Sequence, residues 1–426
     1  MRLLHTSDWH LGQTLHGYDR SYEHQQFLDW LLDTLVAEQV DALLIAGDIF
    51  DTANPSSSAQ KQLYRFLQQA RRRAPALDIV VIAGNHDSPG RLEAPGPLLE
   101  DHGTTVIGHV LRAPDGAIDL ERMVVPLHDG AGQVAAWCLA IPFLRPGDVP
   151  RAPLADGNTE PAAAPLDPYL DGIALLYRQA YALADARRAP GQPIVAMGHC
   201  HMVDGQASLD SERRIVIGGT EALPAAVFDA GIAYTALGHL HLAQRVGGKE
   251  HRRYSGSPLP LSFAEVNYRH QVLRIDLHKD ASDSAAAVTA LDVPRAVELL
   301  RIPAAPQPLD AVLLALAELE LDHQLPAHRQ PFLEVRVLLE APEPGLRARI
   351  ESVLQGKPVR LAKIEPTRKH VPDQNPADAA LSLEQLAQLQ PDDIFRRLYQ
   401  QRFGSEAPDD QIAAFAELML PGGEPQ

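Results

Sequence analysis

The stretch Ala42-Leu43-Leu44-Ile45-Ala46-Gly47-Asp48-Ile49-Phe50-Asp51 joins an unbroken apolar run to a glycine and two carboxylates. A run this short reads as a strand buried on both faces rather than a helix. The Gly-Asp that follows sets an ionisable group just past the strand's carboxyl end. The same arrangement recurs along the chain. Leu3 and Leu4 precede Asp8-Trp9-His10, and residues 79–83 precede Gly84-Asn85-His86-Asp87. Residues 194–197 precede Gly198-His199, and residues 233–237 precede Gly238-His239-Leu240-His241. In an α/β sheet the residues beyond the carboxyl ends of the strands line one crevice. These clusters are therefore expected to meet in one place.

Their side chains define the chemistry. Asp8, His10, Asp48, Asn85, His199, His239 and His241 are oxygen and nitrogen donors of the hard-to-borderline kind that suits Mn²⁺, Fe²⁺ or Zn²⁺. Such a set is too large for one ion and fits two. Asp48 is the natural bridge, because a carboxylate can give one oxygen to each cation. One ion is then expected to take Asp8, His10, Asp48 and His241, and the other Asp48, Asn85, His199 and His239. His239 and His241 are two apart, so on an extended segment they lie on one side, roughly 6–7 Å from each other, and can serve ions ~3.5–4 Å apart. A paired-metal site of this kind hydrolyses phosphate esters. His86 is needed by neither ion and is placed to stabilise developing charge or protonate the leaving oxygen. Asp51 and Asp87 are expected to orient the ligand histidines from behind. His201 and Cys200 lie beside His199 but do not fit the Gly-His turn. Trp9 and Phe50, between ligands, read as packing.

Composition sets the frame. A chain of 426 residues exceeds the size at which one core stops growing, so two or three domains are expected. The 45% hydrophobic and 22% charged content is that of an ordinary globular protein. The opening Met1-Arg2-Leu3-Leu4-His5 lacks the apolar stretch of a signal peptide, and no apolar run approaches a membrane span. Cys138 and Cys200 form no CxxC pair and no disulfide framework, so a cytoplasmic location is expected. A net charge of −17 argues against contact with nucleic-acid phosphates, but bound cations offset it locally. Basic pairs such as Arg213-Arg214, Arg252-Arg253 and Arg396-Arg397, and the run Arg71-Arg72-Arg73, read first as solvated faces.

Apolar strands alternate with amphipathic helices over the first part of the chain. Leu28, Leu31, Leu32, Leu35 and Val36 mark one helical stripe and Leu63, Phe66, Leu67 and Ala70 another. A Pro/Ala/Gly/Asp-rich excursion over 145–168 follows, with strand signals again at 214–217 and 271–275. Composition shifts around 277–287 and closes a first domain at 1–278. A smaller α/β unit is expected over 288–366, with strands at 297–302, 332–339 and 359–364 and helices over 309–321 and 346–354. Leu333, Val335, Val337 and Leu339 share one face of its middle strand. Residues 365–379, with Pro366, Pro372 and Pro376, read as a linker to tail helices at 382–389, 391–403 and 410–420. Ile394, Phe395, Leu398 and Tyr399 form one tail stripe, and Ile412, Phe415, Leu418 and Met419 another.

Together the motifs resemble the calcineurin-like metallophosphoesterases and, within them, the SbcD family of nuclease subunits. The likeness is carried by His5-Thr6-Ser7-Asp8-Trp9-His10-Leu11-Gly12-Gln13, residues 23–32, residues 46–52, Ala140-Ile141-Pro142-Phe143-Leu144-Arg145-Pro146 and residues 254–263. The resemblance implies a sandwich of two mixed sheets flanked by helices, a small α/β cap and C-terminal helices. It also implies a Mn²⁺-dependent DNA nuclease with two metal ions, a 3′→5′ exonuclease on duplex ends and an endonuclease on hairpins and single strands, serving replication, recombination and repair. The implied partner is an SbcC-type ATPase with a long coiled coil, in a complex with two copies of each protein, docked on the tail at 380–420. The chain itself has no G-x-x-x-x-G-K-[ST] loop, so ATP dependence would come from that partner. A phosphatase or phosphodiesterase of small phosphoesters would use the same donors. The extra domain and tail speak for the larger substrate.

Overall fold

The computed structural model describes residues 1–100, 103–150, 168–203, 205–206, 222–278, 286–340 and 343–368, with positions 395–396, 399, 408 and 411–412. The chain divides into one unit at Met1–Thr367 and another at Arg368–Gln426. The first unit opens with β1 (Arg2–Thr6), a small hairpin of β2 (Thr14–Leu15) and β3 (Tyr18–Asp19), α1 (Ser21–Ala37), β4 (Ala42–Ala46), α2 (Ser57–Arg73) and β5 (Asp78–Ile82). It continues through α3 (Pro89–Glu93), α4 (Gly96–Glu100), β6 (Thr104–Ile107), β7 (Val124–His128), β8 (Val134–Ala140), α5 (Pro168–Arg187) and β9 (Ile194–His199). Then come β10 (Ile232–Gly238), β11 (Gln244–Val246), β12 (Lys249–Tyr254), β13 (Gln271–Leu277) and β14 (Ala286–Asp292). It ends with β15 (Leu299–Pro308), α6 (Leu309–Ala317), β16 (Phe332–Leu339), α7 (Leu346–Leu354) and β17 (Arg360–Arg368).

Two six-stranded sheets carry the architecture, in the orders β14-β13-β1-β4-β5-β6 and β11-β12-β10-β9-β8-β7. In the first, β1, β4, β5 and β6 are parallel and β13 and β14 join antiparallel. In the second, β12, β10, β9 and β8 are parallel, with β11 and β7 antiparallel at the edges. The pleat explains the packing. Along β4, Ala42, Leu44 and Ala46 join one core with Cys138, Ala196 and Ala236 of the second sheet, while Leu43 and Ile45 join another with α1 and α2. Alternate side chains leave a strand on opposite faces, and the small residues let the two sheets approach. Both helical stripes face that outer core, except that Val36 is 43% exposed at its edge.

The remaining three strands form the sheet β15-β16-β17, covered by α6 and α7. Leu333, Val335 and Val337 are fully buried there with Val312, Leu316 and Ile350, as the alternation of β16 predicts. Some boundaries differ from the sequence reading. Residues 286–292 form β14 and pair with β13, so the first sheet runs beyond the composition shift at 277–287. α6 stops at Ala317, and β17 continues to Arg368, through the first residues expected to be linker. Backbone pairing decides both strand ends, and side-chain composition does not report it. The strand expected at 214–217, the remaining linker and most of the three tail helices lie outside the described residues. In the second unit, the Phe395 and Tyr399 rings stand 6.1 Å apart, one helical turn from each other in sequence.

Polar groups inside the first unit are tied together. Arg20 is fully buried and pairs its Nε–Nη2 edge with Glu23, at 3.0 and 2.6 Å, while Nη1 donates to the Pro260 carbonyl at 2.7 Å. His5 is buried between the sheets with Nδ1 2.8 Å from the Tyr234 hydroxyl, and burial lowers its pKa to about 3. The unfolded chain protonates His5 near 6.5, so between these values it binds more protons than the native state. Stability is therefore lost as pH falls through this window, by about 2 kcal/mol at pH 5. Urea unfolding at pH 7 and 5 is expected to show a smaller pH dependence for His5→Gln than for the native chain. Equal slopes would mean that His5 is not held neutral.

Candidate metal centre

Five parallel strands deliver the predicted donors. β1 ends before Asp8 and His10, β4 before Asp48, β5 before Asn85 and His86, β9 in His199, and β10 before His239 and His241. The first three strands belong to one sheet and the last two to the other, so the crevice lies between the sheets rather than at the rim of one. The backbone there is strained. Asp8, His10, Asp48 and His239 have φ of 55°, 46°, 50° and 104°, the left-handed region that costs such residues about 1–3 kcal/mol each. Backbone bonds hold the turns, from Asp8 N–H to the Gly47 carbonyl and from His10 N–H to the Asp48 carbonyl, each 3.0 Å. The glycines are required by space. A Cβ on Gly47 would sit 2.3 Å from His199 Nδ1, and one on Gly84 would sit 2.2 Å from Asp48 Oδ1.

All seven predicted donors come together. Ligand atoms of Asp8, His10 and His241 lie within 4.8 Å of one another, and so do those of Asp48, His199 and His239. Asp48 Oδ2 stands between the groups, 3.4 Å from His199 Nε2 and 3.7 Å from His10 Nε2. Asn85 Oδ1 lies 2.9 Å from His199 Nε2 and 3.1 Å from His239 Nδ1. His10 Nε2 is buried with no hydrogen-bond partner, the situation of an imidazole lone pair kept for a cation. The opposite nitrogens are engaged: His10 Nδ1 with Asp51 Oδ1 at 3.2 Å, His199 Nδ1 with the Ala46 carbonyl at 2.9 Å, and His241 Nδ1 with Glu265 Oε1 at 2.9 Å. Such contacts fix which nitrogen faces inward and raise its basicity. The residues fit divalent cations.

The electrostatics agree. Burial favours the neutral acid at Asp48, yet His199 and then His10 and His86 hold its carboxylate well below the usual range. Burial likewise opposes a charge on His199, but the Asp48 carboxylate overrides it and lifts the imidazole to about 9. Burial and then His199 lower His239 to about 3. The charges drawn together here are those that a cation would replace as partner.

His86 stands beside the cluster. Its backbone N–H donates to Asp48 Oδ1 at 2.8 Å, its Nδ1 lies 2.8 Å from the Asp51 carbonyl, and its ring is 4.8 Å from that of His10. Asp51 contacts His10, one of the expected ligands. Asp87 does not. Its carboxylate instead accepts from the backbone N–H groups of Gly84 (2.8 Å), Phe50 (3.0 Å) and Ile49 (3.2 Å), clamping two ligand loops together. Burial and then the Asp48 charge raise Asp87 to about 6. Three peptide N–H groups take up its two oxygens in place of an imidazole.

His201 joins no donor group among the described residues; its Nε2 is 3.4 Å from the Gly205 carbonyl. Burial pushes the Cys200 thiol up to about 12, far from a ligand thiolate. Trp9 packs edge-on against Phe27 and Phe66, as a core residue does. The residue that sequence reasoning missed is Glu265, fully buried behind His241 and also accepting from Leu261 N–H at 2.7 Å. Only its place one turn after the Ser262 cap marks it, and a solvated Glu would look the same.

Comparison with known proteins agrees with this geometry. Residues 1–243 match the family described as calcineurin-like phosphoesterase, and residues 295–403 match the type 5 capsule protein repressor C-terminal domain. The chain is 43% identical over 371 residues to SbcD of the nuclease SbcCD from Rhodobacter capsulatus, covering 86% of this chain and 88% of the relative. Identity to SbcD from Escherichia coli K12 is 34% over 405 residues, covering 93% and 92%. For SbcD of Bacillus subtilis it is 38% over 279 residues, covering 65% and 66%. The matched phosphoesterase residues contain every donor of the centre just described, and the chain belongs to the SbcD family of nuclease subunits within the calcineurin-like phosphoesterases.

Proposed function

We propose that this chain is the nuclease subunit of an SbcCD-type complex and hydrolyses DNA phosphodiesters with two Mn²⁺ ions. The observation that carries the reading is the pair of donor groups meeting at Asp48. Asp8, His10, Asp48 and His241 would hold one ion, and Asp48, Asn85, His199 and His239 the other. Bound there, the ions would supply Lewis acidity to the phosphate and a nucleophile at neutral pH. The protein's own part is positional and protonic. Glu265, Asp51 and the Ala46 carbonyl keep the ligand imidazoles in one tautomer, and Asp87 holds the loops that bear Asp48 and Asn85. His86 Nδ1–H donates to the Asp51 carbonyl, and its Nε2 would exchange a proton with the leaving oxygen.

The names of the relatives favour a nuclease over an enzyme of small phosphoesters, and DNA is the nucleic acid of this reading. They also name one subunit of a complex, which supports a partner subunit; the further reading is an SbcC-type ATPase as that partner, two copies of each protein, and a cytoplasmic assembly. The apolar stripes of the tail at 380–420 are its proposed dock, because short helices need a surface to bury against. Among the described residues no helix is long and apolar enough to cross a membrane. Gel analysis of a DNA hairpin tests the whole reading. Opening is expected with Mn²⁺ and is stimulated when the ATPase and ATP are added. An intact hairpin in the presence of active turnover of bis-p-nitrophenyl phosphate would instead favour the small-substrate enzyme.

The same assay separates the neighbouring histidines. His199→Ala is expected to lose at least about 100-fold in hairpin cleavage, since it takes a ligand from the centre, whereas His201→Ala stays within about threefold. The reverse ranking would move the ligand to His201.

A further inference from the structure

We propose that Arg145 is a phosphate-gripping residue beside the metal centre, held for that purpose on the face of Phe143. This rests on the reading of the site as a nuclease and adds a substrate contact to it. Residues 141–150 follow β8 and bring Phe143 beside His199. Phe143 N–H donates to the Ala83 carbonyl at 2.8 Å, which anchors the loop two residues before Asn85. The Phe143 ring stands edge-on to His199, centroids 6.3 Å apart, and the Arg145 guanidinium carbon lies 5.6 Å over that ring. The loop is pinned on its other side as well. Arg145 N–H donates to Asp148 Oδ2 at 2.8 Å, and the Tyr169 hydroxyl donates to the Leu144 carbonyl at 2.8 Å.

The guanidinium itself stays exposed and has no carboxylate partner among the described residues. Most arginines near this region are spoken for: Arg112 binds the Gly147 and Val149 carbonyls, and Arg122 faces Glu93. A cation stacked on an aromatic ring loses little further freedom when it binds, and its planar fork suits a phosphate. Two ring-to-group steps separate it from His199, so it would meet a phosphate next to the one being cut. Such a contact exists only for a polynucleotide. Arg145 would then help discriminate a strand from a small diester, which has no neighbouring phosphate to offer.

The test compares Arg145→Gln with Arg145→Lys in the full-length chain. Fluorescence anisotropy with a labelled single-stranded oligonucleotide in EDTA reads binding without turnover. Arg145→Gln is expected to weaken binding about tenfold and to reduce the slope of log K against log[salt] by about 0.7, one phosphate contact on a single strand. Arg145→Lys should recover most of the slope and only part of the affinity, because a point charge lacks the fork. With Mn²⁺, KM for oligonucleotide cleavage should rise about tenfold in Arg145→Gln, while kcat for bis-p-nitrophenyl phosphate changes less than twofold. Unchanged affinity and salt slope would overturn the proposal, as would an equal loss on both substrates. Failure of the native chain itself to turn over either substrate would sink the nuclease reading instead.

Discussion

Asp48→Ala is expected to empty the centre of both metal ions and to cut hairpin cleavage by about 10³-fold or more. The position of its carboxylate is the reason. Oδ2 is within 3.4 Å of His199 Nε2 and 3.7 Å of His10 Nε2, one residue from each donor group. In the proposed centre, losing it would remove a negative ligand from both ions at once, whereas losing Asp8 or His239 would weaken one ion directly. The folded chain should survive the change. Asp48 is buried, and its removal also lifts the repulsion that raises Asp87. A melt in EDTA should therefore resemble that of the native chain, while metal analysis after dialysis shows near zero ions per chain in place of about two. Retention of one full ion would assign Asp48 to a single site.

The His86→Ala variant is expected to separate chemistry from metal binding, with cleavage down about 10²–10⁴-fold and metal content close to native. Its backbone N–H, which the substitution keeps, is the group that touches Asp48, so the carboxylate stays in place. The lost imidazole is the one whose Nδ1 lies against the Asp51 carbonyl and to which the proton exchange is assigned in the proposal. A competing arrangement is visible in the same residues, because ligand atoms of His10, Asp51 and His86 also lie within 4.8 Å of one another. Metal analysis decides between them. If His86→Ala loses an ion, His86 is a ligand and its role in proton transfer falls.

Much of this centre was legible from sequence because its design is local. An apolar run of strand length followed by glycine and a donor is a pattern of consecutive residues, and each instance seen in the sequence ends a parallel strand in the structure. The tight glycines are explained at the same level, since Gly47 and Gly84 stand where any Cβ would strike a ligand side chain. Helix stripes on α1 and α2 follow equally from spacing alone.

What stayed hidden was decided between residues far apart in the chain. β12 reads Lys249-Glu250-His251-Arg252-Arg253-Tyr254 and shows no apolar pattern, yet it is a strand because β10 and β11 supply its hydrogen bonds. The split of the donors between two facing sheets depends on strand order, which apolar runs do not encode. Asp87 clamps loops instead of an imidazole, and Glu265 backs His241 from 24 residues away, because burial brings different partners within reach. Sequence by itself determined which donors this protein carries and that they end strands, since both follow from neighbouring residues. Only the tertiary structure decided how those donors pair, which carboxylates back them and that Arg145 stacks on Phe143 beside His199, since each is a contact that exists only once the sheets have packed.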